Sequence, residues 1–139
     1  MEHVADVRVI FADTDAMGIV YYANYLKWFE MGRVELLRKK AMVYRDLTSR
    51  GYHLPVVEAG VRYHTPARYD DSLRIHAEVR KLGGASIEFG YVIDRADGKR
   101  IAEGETLHAF TDDSGKVVRM PADFLELVRI DIITGVKGG

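Results

Sequence analysis

Arg8-Val-Ile-Phe-Ala-Asp13-Thr-Asp15-Ala-Met-Gly18-Ile-Val-Tyr-Tyr22-Ala-Asn24-Tyr25 takes the chain from a strand pattern, through two acids and a glycine, into an amphipathic helix. Val7, Val9 and Phe11 alternate with Arg8, Ile10 and Ala12, which predicts a first strand. Asp13 to Gly18 break it. From Tyr22 to about Lys40 the apolar residues Tyr22, Tyr25, Leu26, Phe29, Gly32, Leu36 and Leu37 recur at three- and four-residue steps, which predicts a long helix. This order sets a carboxylate beside the free backbone N–H groups of a helix N-terminus. One group can accept a proton or attack, and the others can hold an oxyanion. That pairing suits acyl transfer.

Working outward, Gly32 inside the helix should cost about 1 kcal/mol relative to Ala, so close packing against a sheet is expected there. A shorter helical piece, around Val43 to Ser49, ends at Gly51. From Tyr52 the period becomes two. Val57, Ala59, Val61 and Tyr63 share one face, as do Leu73, Ile75, Ala77 and Val79, then Ile87, Phe89, Tyr91 and Ile93. The run from Arg100 to Phe110 sets Glu103 and Glu105 against Ala102, Thr106 and Phe110. Gly83-Gly84 and Asp97-Gly98 read as hairpin turns, and Asp70-Asp71, after Pro66, separates two strands. A last helix is expected near Ala122, after Pro121.

The predicted fold class is α+β: one strand, one long helix, then a four-strand antiparallel meander. A sheet with one apolar face needs a cover, and the long helix is the element large enough to supply it. A five-stranded antiparallel sheet wrapped around one central helix is the hotdog architecture. One domain is expected over residues 1–139, with a frayed tail from about 131 to 139.

Composition narrows the function. Lys and Arg number 20 against 21 Asp and Glu, a net charge of −1 that argues against nucleic acid as a partner. Cysteine is absent, which removes disulfides, thiolate nucleophiles and Cys-based metal sites. Met1-Glu-His-Val-Ala-Asp-Val has no basic segment leading into an apolar run, and no apolar stretch approaches the ~18–20 residues that span a bilayer. A cytoplasmic protein without a membrane span is expected. The five histidines (3, 53, 64, 76 and 108) lack metal spacing, and Asp13 with Asp15 alone would make a poor metal site. No metal is expected, and His108 reads as a satisfied core histidine. A serine nucleophile elbow is excluded, since the nearest match, Gly84-Ala-Ser86-Ile-Glu88, ends in glutamate.

Arg8-Val9, Asp13-Thr14-Asp15, Gly18-Ile19-Val20 and Asn24-Tyr25 resemble the signature of the 4-hydroxybenzoyl-CoA thioesterase family, whose relatives include the Tol–Pal-associated short-chain acyl-CoA thioesterases. Pro66-Ala67-Arg68-Tyr69-Asp70-Asp71 resembles that family's second landmark, the lead-in to its third strand. The resemblance spans roughly residues 4–128. It implies a hotdog protomer that forms homodimers or homotetramers with active sites at the subunit interface. It also implies hydrolysis of an acyl-CoA thioester, with coenzyme A as part of the substrate and no separate cofactor.

By motif position, Asp15 matches the family's catalytic aspartate, which acts as nucleophile in some members and activates water in others. Tyr22 matches the residue whose backbone N–H polarises the thioester carbonyl. Gly18 permits the tight turn between them, and its N–H is a second candidate to face substrate. Arg80 and Lys81, at the end of a strand, are candidates for the coenzyme A phosphates, with Arg62 and Arg68 weaker ones. Val56 is a candidate substrate contact. Asp13 is expected to hold the turn and Asn24 to brace it.

Taken alone, Asp-Thr-Asp before a helix reads first as a cap. Tyr22 departs from the Tol–Pal-associated branch, which usually carries histidine there, and resembles the aromatic-acyl branch. A different class of function on the same fold is a non-hydrolytic acyl-CoA or acyl-carrier-protein binding module.

Overall fold

The two-residue period of Leu73–Val79 and Ile87–Ile93 builds the centre of the sheet in the computed structural model, which describes residues 1–129. The elements are β1 (Glu2–Arg8), a 3-10 turn (Phe11–Asp13), α1 (Asn24–Lys39), α2 (Tyr44–Ser49), β2 (Val56–Tyr63), β3 (Ser72–Leu82), β4 (Ser86–Arg95) and β5 (Arg100–Ala109). A closing helix, α3, occupies 122–129, after Pro121. The tail expected to fray at 131–139 lies outside the described residues. The sheet is antiparallel throughout in the order β1-β3-β4-β5-β2. With α1 laid across its apolar face, this is the hotdog fold.

Three expectations change in detail. The meander holds only for β3-β4-β5, whose tight turns are Gly83-Gly84 and Asp97-Gly98; Gly98 sits at φ +93. β2 crosses over to pair with β5, because residues 64–71 with Pro66 form a loop too long for a hairpin. β1 takes the vacant edge of β3. The first strand also ends earlier than its alternation suggests, at Arg8. Val9 leaves the ladder and bonds the loop instead, its N–H to the Asp71 carbonyl at 2.9 Å and its own carbonyl to the Asp70 N–H at 2.9 Å. Phe11 is therefore exposed, stacked on Tyr69 at 4.1 Å. Finally, α1 starts at Asn24, so Tyr22 precedes the helix and its side chain is 61% exposed.

The buried stripe of α1 is Tyr25, Trp28, Phe29, Gly32, Leu36 and Leu37. Phe29 stacks on Tyr91 of β4 at 4.3 Å and 5°. A Cβ on Gly32 would lie 3.0 Å from Ile75 Cγ2 and 3.4 Å from Tyr91 Cδ1, so glycine is what lets helix and sheet meet. Among the described residues β2 ends the sheet with one edge unpaired, and Val56, Val57 and Tyr63 are exposed. No helix among the described residues is long and apolar enough to cross a membrane.

Candidate active site

Asp15 is held by backbone on both sides. Thr14 bridges Val20 and Ile19 bridges Arg68, so residues 14, 19–20 and 67–68 form a small three-strand ribbon. Within it the Asp15 N–H donates to the Ile19 carbonyl at 2.9 Å, the Val20 N–H to the Ala67 carbonyl at 2.8 Å and the Tyr21 N–H to the Asp13 carbonyl at 2.8 Å. The Pro66–Asp71 segment is thus the outer rail of the acid turn. Its own shape is fixed by an Arg68 N–H bond to Asp71 Oδ2 at 2.8 Å and by Asp70 at φ +70, a conformation Asp tolerates.

Asp15 is half-buried, and its Oδ1 accepts the Met17 N–H at 2.8 Å, which leaves Oδ2 available. No ion pair engages it among the described residues. Gly18 closes the turn at φ +80, with its N–H donated to the Asp15 carbonyl at 3.0 Å. That donor is spent within the turn, so Gly18 serves by conformation and not by facing substrate.

The start of α1 supplies the complementary group. No side chain caps it, and among the described residues the Tyr22 N–H has no hydrogen-bond acceptor. This donor lies one residue ahead of the N-cap Ala23, next to the positive end of the helix dipole. The Tyr22 carbonyl accepts the Tyr63 hydroxyl at 3.1 Å, which ties the helix start to the end of β2. The Tyr21 and Tyr22 rings pack 4.8 Å apart. The Tyr21 phenol is raised, first by the neighbouring Tyr22 hydroxyl and also by the charge of Asp15, so the carboxylate shares this surface.

Asp13 does the other job. Its side chain is buried, accepting the Ile10 N–H at 3.0 Å and Lys27 Nζ at 2.9 Å. Burial opposes its ionisation, but those two donors outweigh burial and hold the carboxyl below its ordinary range. Its carbonyl also accepts the Asn24 amide at 2.8 Å, the bracing expected of Asn24.

The sequence profile of the thioesterase-like superfamily matches residues 9–128, a span that holds this whole arrangement. The chain belongs to the thioesterase-like superfamily. It is 36% identical over 106 residues to an acyl-CoA thioester hydrolase of Escherichia coli O157:H7, covering 76% of this chain and 79% of that one. It is 32% identical over 101 residues to a 1,4-dihydroxy-2-naphthoyl-CoA hydrolase of Thermosynechococcus vestitus, covering 72% and 69%. The crystal structure of a hypothetical protein from Thermus thermophilus superposes with a TM-score of 0.89 at 29% identity, covering 94% and 99%.

Not every candidate converges in this thioesterase-like protomer. Tyr63 aligns across the sheet with Ala102, Ile93 and Ile75, whereas Lys81 lies six positions along β3 from Ile75, about 20 Å away. Arg80 lies over Gly90 on the outer face, 3.9 Å from Glu105, and Arg62 is paired to Glu103 and Glu105. Arg80 and Lys81 therefore do not meet Asp15 within one copy. Arg68, exposed beside Ile19, is the basic residue next to the turn. Val56 does line a cleft of about 390 Å³, together with Leu26, Lys27, Glu30, Arg33, Ala59 and Thr106.

His108 is fully buried and satisfied, bonded to the Leu54 carbonyl at 2.9 Å and to Thr106 Oγ1 at 2.8 Å. Burial, with a smaller push from the charge of Arg33 and against the Leu54 bond, takes it down to about 4. Sequence reasoning missed Tyr63 and Lys27. Neither carries a motif, and each matters through a partner far along the chain.

Proposed function

We propose that this protein hydrolyses acyl-CoA thioesters to a free acid and coenzyme A. One observation carries the reading: Asp15, which pairs with no cation among the described residues, sits in a braced turn that runs directly into the unbonded Tyr22 N–H just ahead of α1. With the thioester oxygen on that N–H, the developing oxyanion meets the helix dipole, and one such donor is worth about 10²–10³ in rate. Asp15 then acts in one of two ways. It attacks the carbonyl carbon, the C–S bond breaks and coenzyme A leaves as thiolate, giving an anhydride that water opens. Alternatively it takes a proton from the water that attacks. Neither route calls on a further cofactor.

The phosphates of coenzyme A need cations, and Arg80 with Lys81 are too far from Asp15 in one copy. A homodimer or homotetramer would bring that end of one copy to the Asp15 turn of another, and the open edge of β2 fits such an assembly. The tyrosine at position 22 and the likeness to a dihydroxynaphthoyl-CoA hydrolase favour an aromatic acyl group. We further propose a cytoplasmic location for the reaction.

Asp15→Asn is the test. The amide oxygen can still accept the Met17 N–H, so the turn survives while the carboxylate is lost. Thiol release from a panel of acyl-CoA thioesters should fall by about 10²-fold or more. Near-wild-type turnover would remove Asp15 from the chemistry. Tight acyl-CoA binding with no thiol released from any substrate would favour the non-hydrolytic binding module.

A further inference from the structure

Tyr22 is a backbone unit hung between fixed neighbours. Before it, the Tyr21 N–H is held by the Asp13 carbonyl at 2.8 Å, and the Tyr21 carbonyl accepts the Asn24 N–H at 2.9 Å. That second bond closes a turn over residues 21–24. Ala23, at φ −71 and ψ −19, gives the turn its type I shape and leads it into α1, with the Ala23 carbonyl accepting the Leu26 N–H at 3.2 Å. Neither the Tyr22 nor the Ala23 N–H has an acceptor among the described residues. The Tyr22 carbonyl accepts no backbone N–H there either. What it accepts is the Tyr63 hydroxyl, at 3.1 Å.

Tyr63 is as firmly held as Tyr22 is loose. It closes β2 in register with Ala102 of β5, so its backbone belongs to the sheet. Its ring meets Tyr25 edge-on at 5.4 Å, and Tyr25, only 3% exposed, meets Trp28 edge-on at 5.4 Å. The ring is thus pinned between a strand and the buried stripe of α1. Burial first, then the neighbouring Tyr22 phenol, raise the Tyr63 phenol above its ordinary value, so its hydroxyl stays a donor at neutral pH.

The peptide joining Tyr22 to Ala23 is the central one of the turn, and the turn's own hydrogen bond does not restrain its rotation. Rotation would swing the Ala23 N–H off the helix start and bring the Tyr22 carbonyl oxygen toward any oxyanion placed there. A full flip needs positive φ at Ala23, which alanine resists, so the motion to be suppressed is a partial one. We propose that Tyr63 is a positioning residue for the thioester reaction: its hydroxyl, carried by the sheet, clamps this peptide and keeps the backbone donors at Tyr22 and Ala23 turned toward the thioester oxygen. This inference rests on the hydrolase reading for the placement of the thioester.

Tyr63→Phe removes the hydroxyl and keeps the ring against Tyr25. With benzoyl-, phenylacetyl- or hexanoyl-CoA, whichever the full chain hydrolyses fastest, kcat should fall about 10-fold while KM stays within about two-fold, a fraction of the 10²–10³ that a lost donor costs. A second measurement does not depend on turnover. The infrared carbonyl band of isotope-labelled benzoyl-CoA bound to Asp15→Asn should lie below that of the free thioester, and Tyr63→Phe added to Asp15→Asn should move it part of the way back. Wild-type kcat in Tyr63→Phe, or a loss confined to KM, would overturn the assignment. So would a carbonyl band at the same place with and without the Tyr63 hydroxyl. A band that depends on Tyr63 in a protein that hydrolyses none of the thioesters would sink the hydrolase reading and leave Tyr63 in its role.

Discussion

Replacing His108 with glutamine should remove a specific pH dependence of stability. The ring is sealed inside the sheet, edge-on to Phe89 at 5.4 Å, with both nitrogens committed to Leu54 and Thr106. Burial first, then the charge of Arg33, overcome the Leu54 bond and lower its pKa from 6.5 to about 4. An unfolded chain takes up that proton at its ordinary pKa of 6.5, and the native protein does not until about 4. Between these values the unfolded state binds more protons, so stability falls as pH falls. The gap, at ~1.36 kcal/mol per pH unit, amounts to about 3 kcal/mol, fully present above pH 6.5 and lost by about pH 4. Urea unfolding of wild type and His108→Gln from pH 7.5 to 4.5 reads it. The variant should be less stable at pH 7.5, through lost packing and a strained relay, and the difference should narrow by about 2–3 kcal/mol at pH 4.5. Parallel curves would mean that the native ring already carries its proton.

Lys27→Met keeps the side-chain stem near Trp28 but leaves buried Asp13 with the Ile10 N–H alone. Because Lys27 is half-exposed, the cost at pH 7 should be about 1–2 kcal/mol, between that of an exposed and a buried pair. Asp13 is lowered in the native state, so this contribution is fully present above its ordinary 3.8 and fades as pH falls from there through the lower native pKa; melting curves whose difference grows as acid is added would contradict the pairing. Gly18→Ala meets nothing within 4 Å, so its penalty is that of φ +80 alone, about 1–2 kcal/mol of unfolding free energy by urea titration. Activity should fall further as the turn tilts Asp15, and unchanged kcat would show that the turn does not position the acid.

The elements were legible where side chains carry the signal. Periods of two over Leu73–Val79 and Ile87–Ile93, and Gly32 in the helix, led to the sheet, its cover and their contact. The crossover of β2 was not legible, because its alternation is the same whether it pairs with β3 or β5; only the length and proline of 64–71 distinguish the two. The end of β1 was misplaced for a related reason. Val9 is as apolar as a strand residue should be and is buried, but its backbone bonds go to Asp70 and Asp71.

The same limit decides what could be read of the site. Asp15 and Asp13 have identical side chains two residues apart, and the difference between them lies in Lys27 and the Ile10 N–H, which engage Asp13, whereas among the described residues Asp15 accepts only the Met17 N–H. The oxyanion donor proposed at Tyr22 is a backbone group, and backbone N–H groups carry no side-chain signature in the sequence. Leu26, Glu30 and Arg33 acquire an opposite wall only because β2 crosses to β5 and brings Val56, Ala59 and Thr106 alongside. The crossover that sequence periodicity could not reveal is therefore the step that gives this helix face an opposite wall and makes the cleft of about 390 Å³.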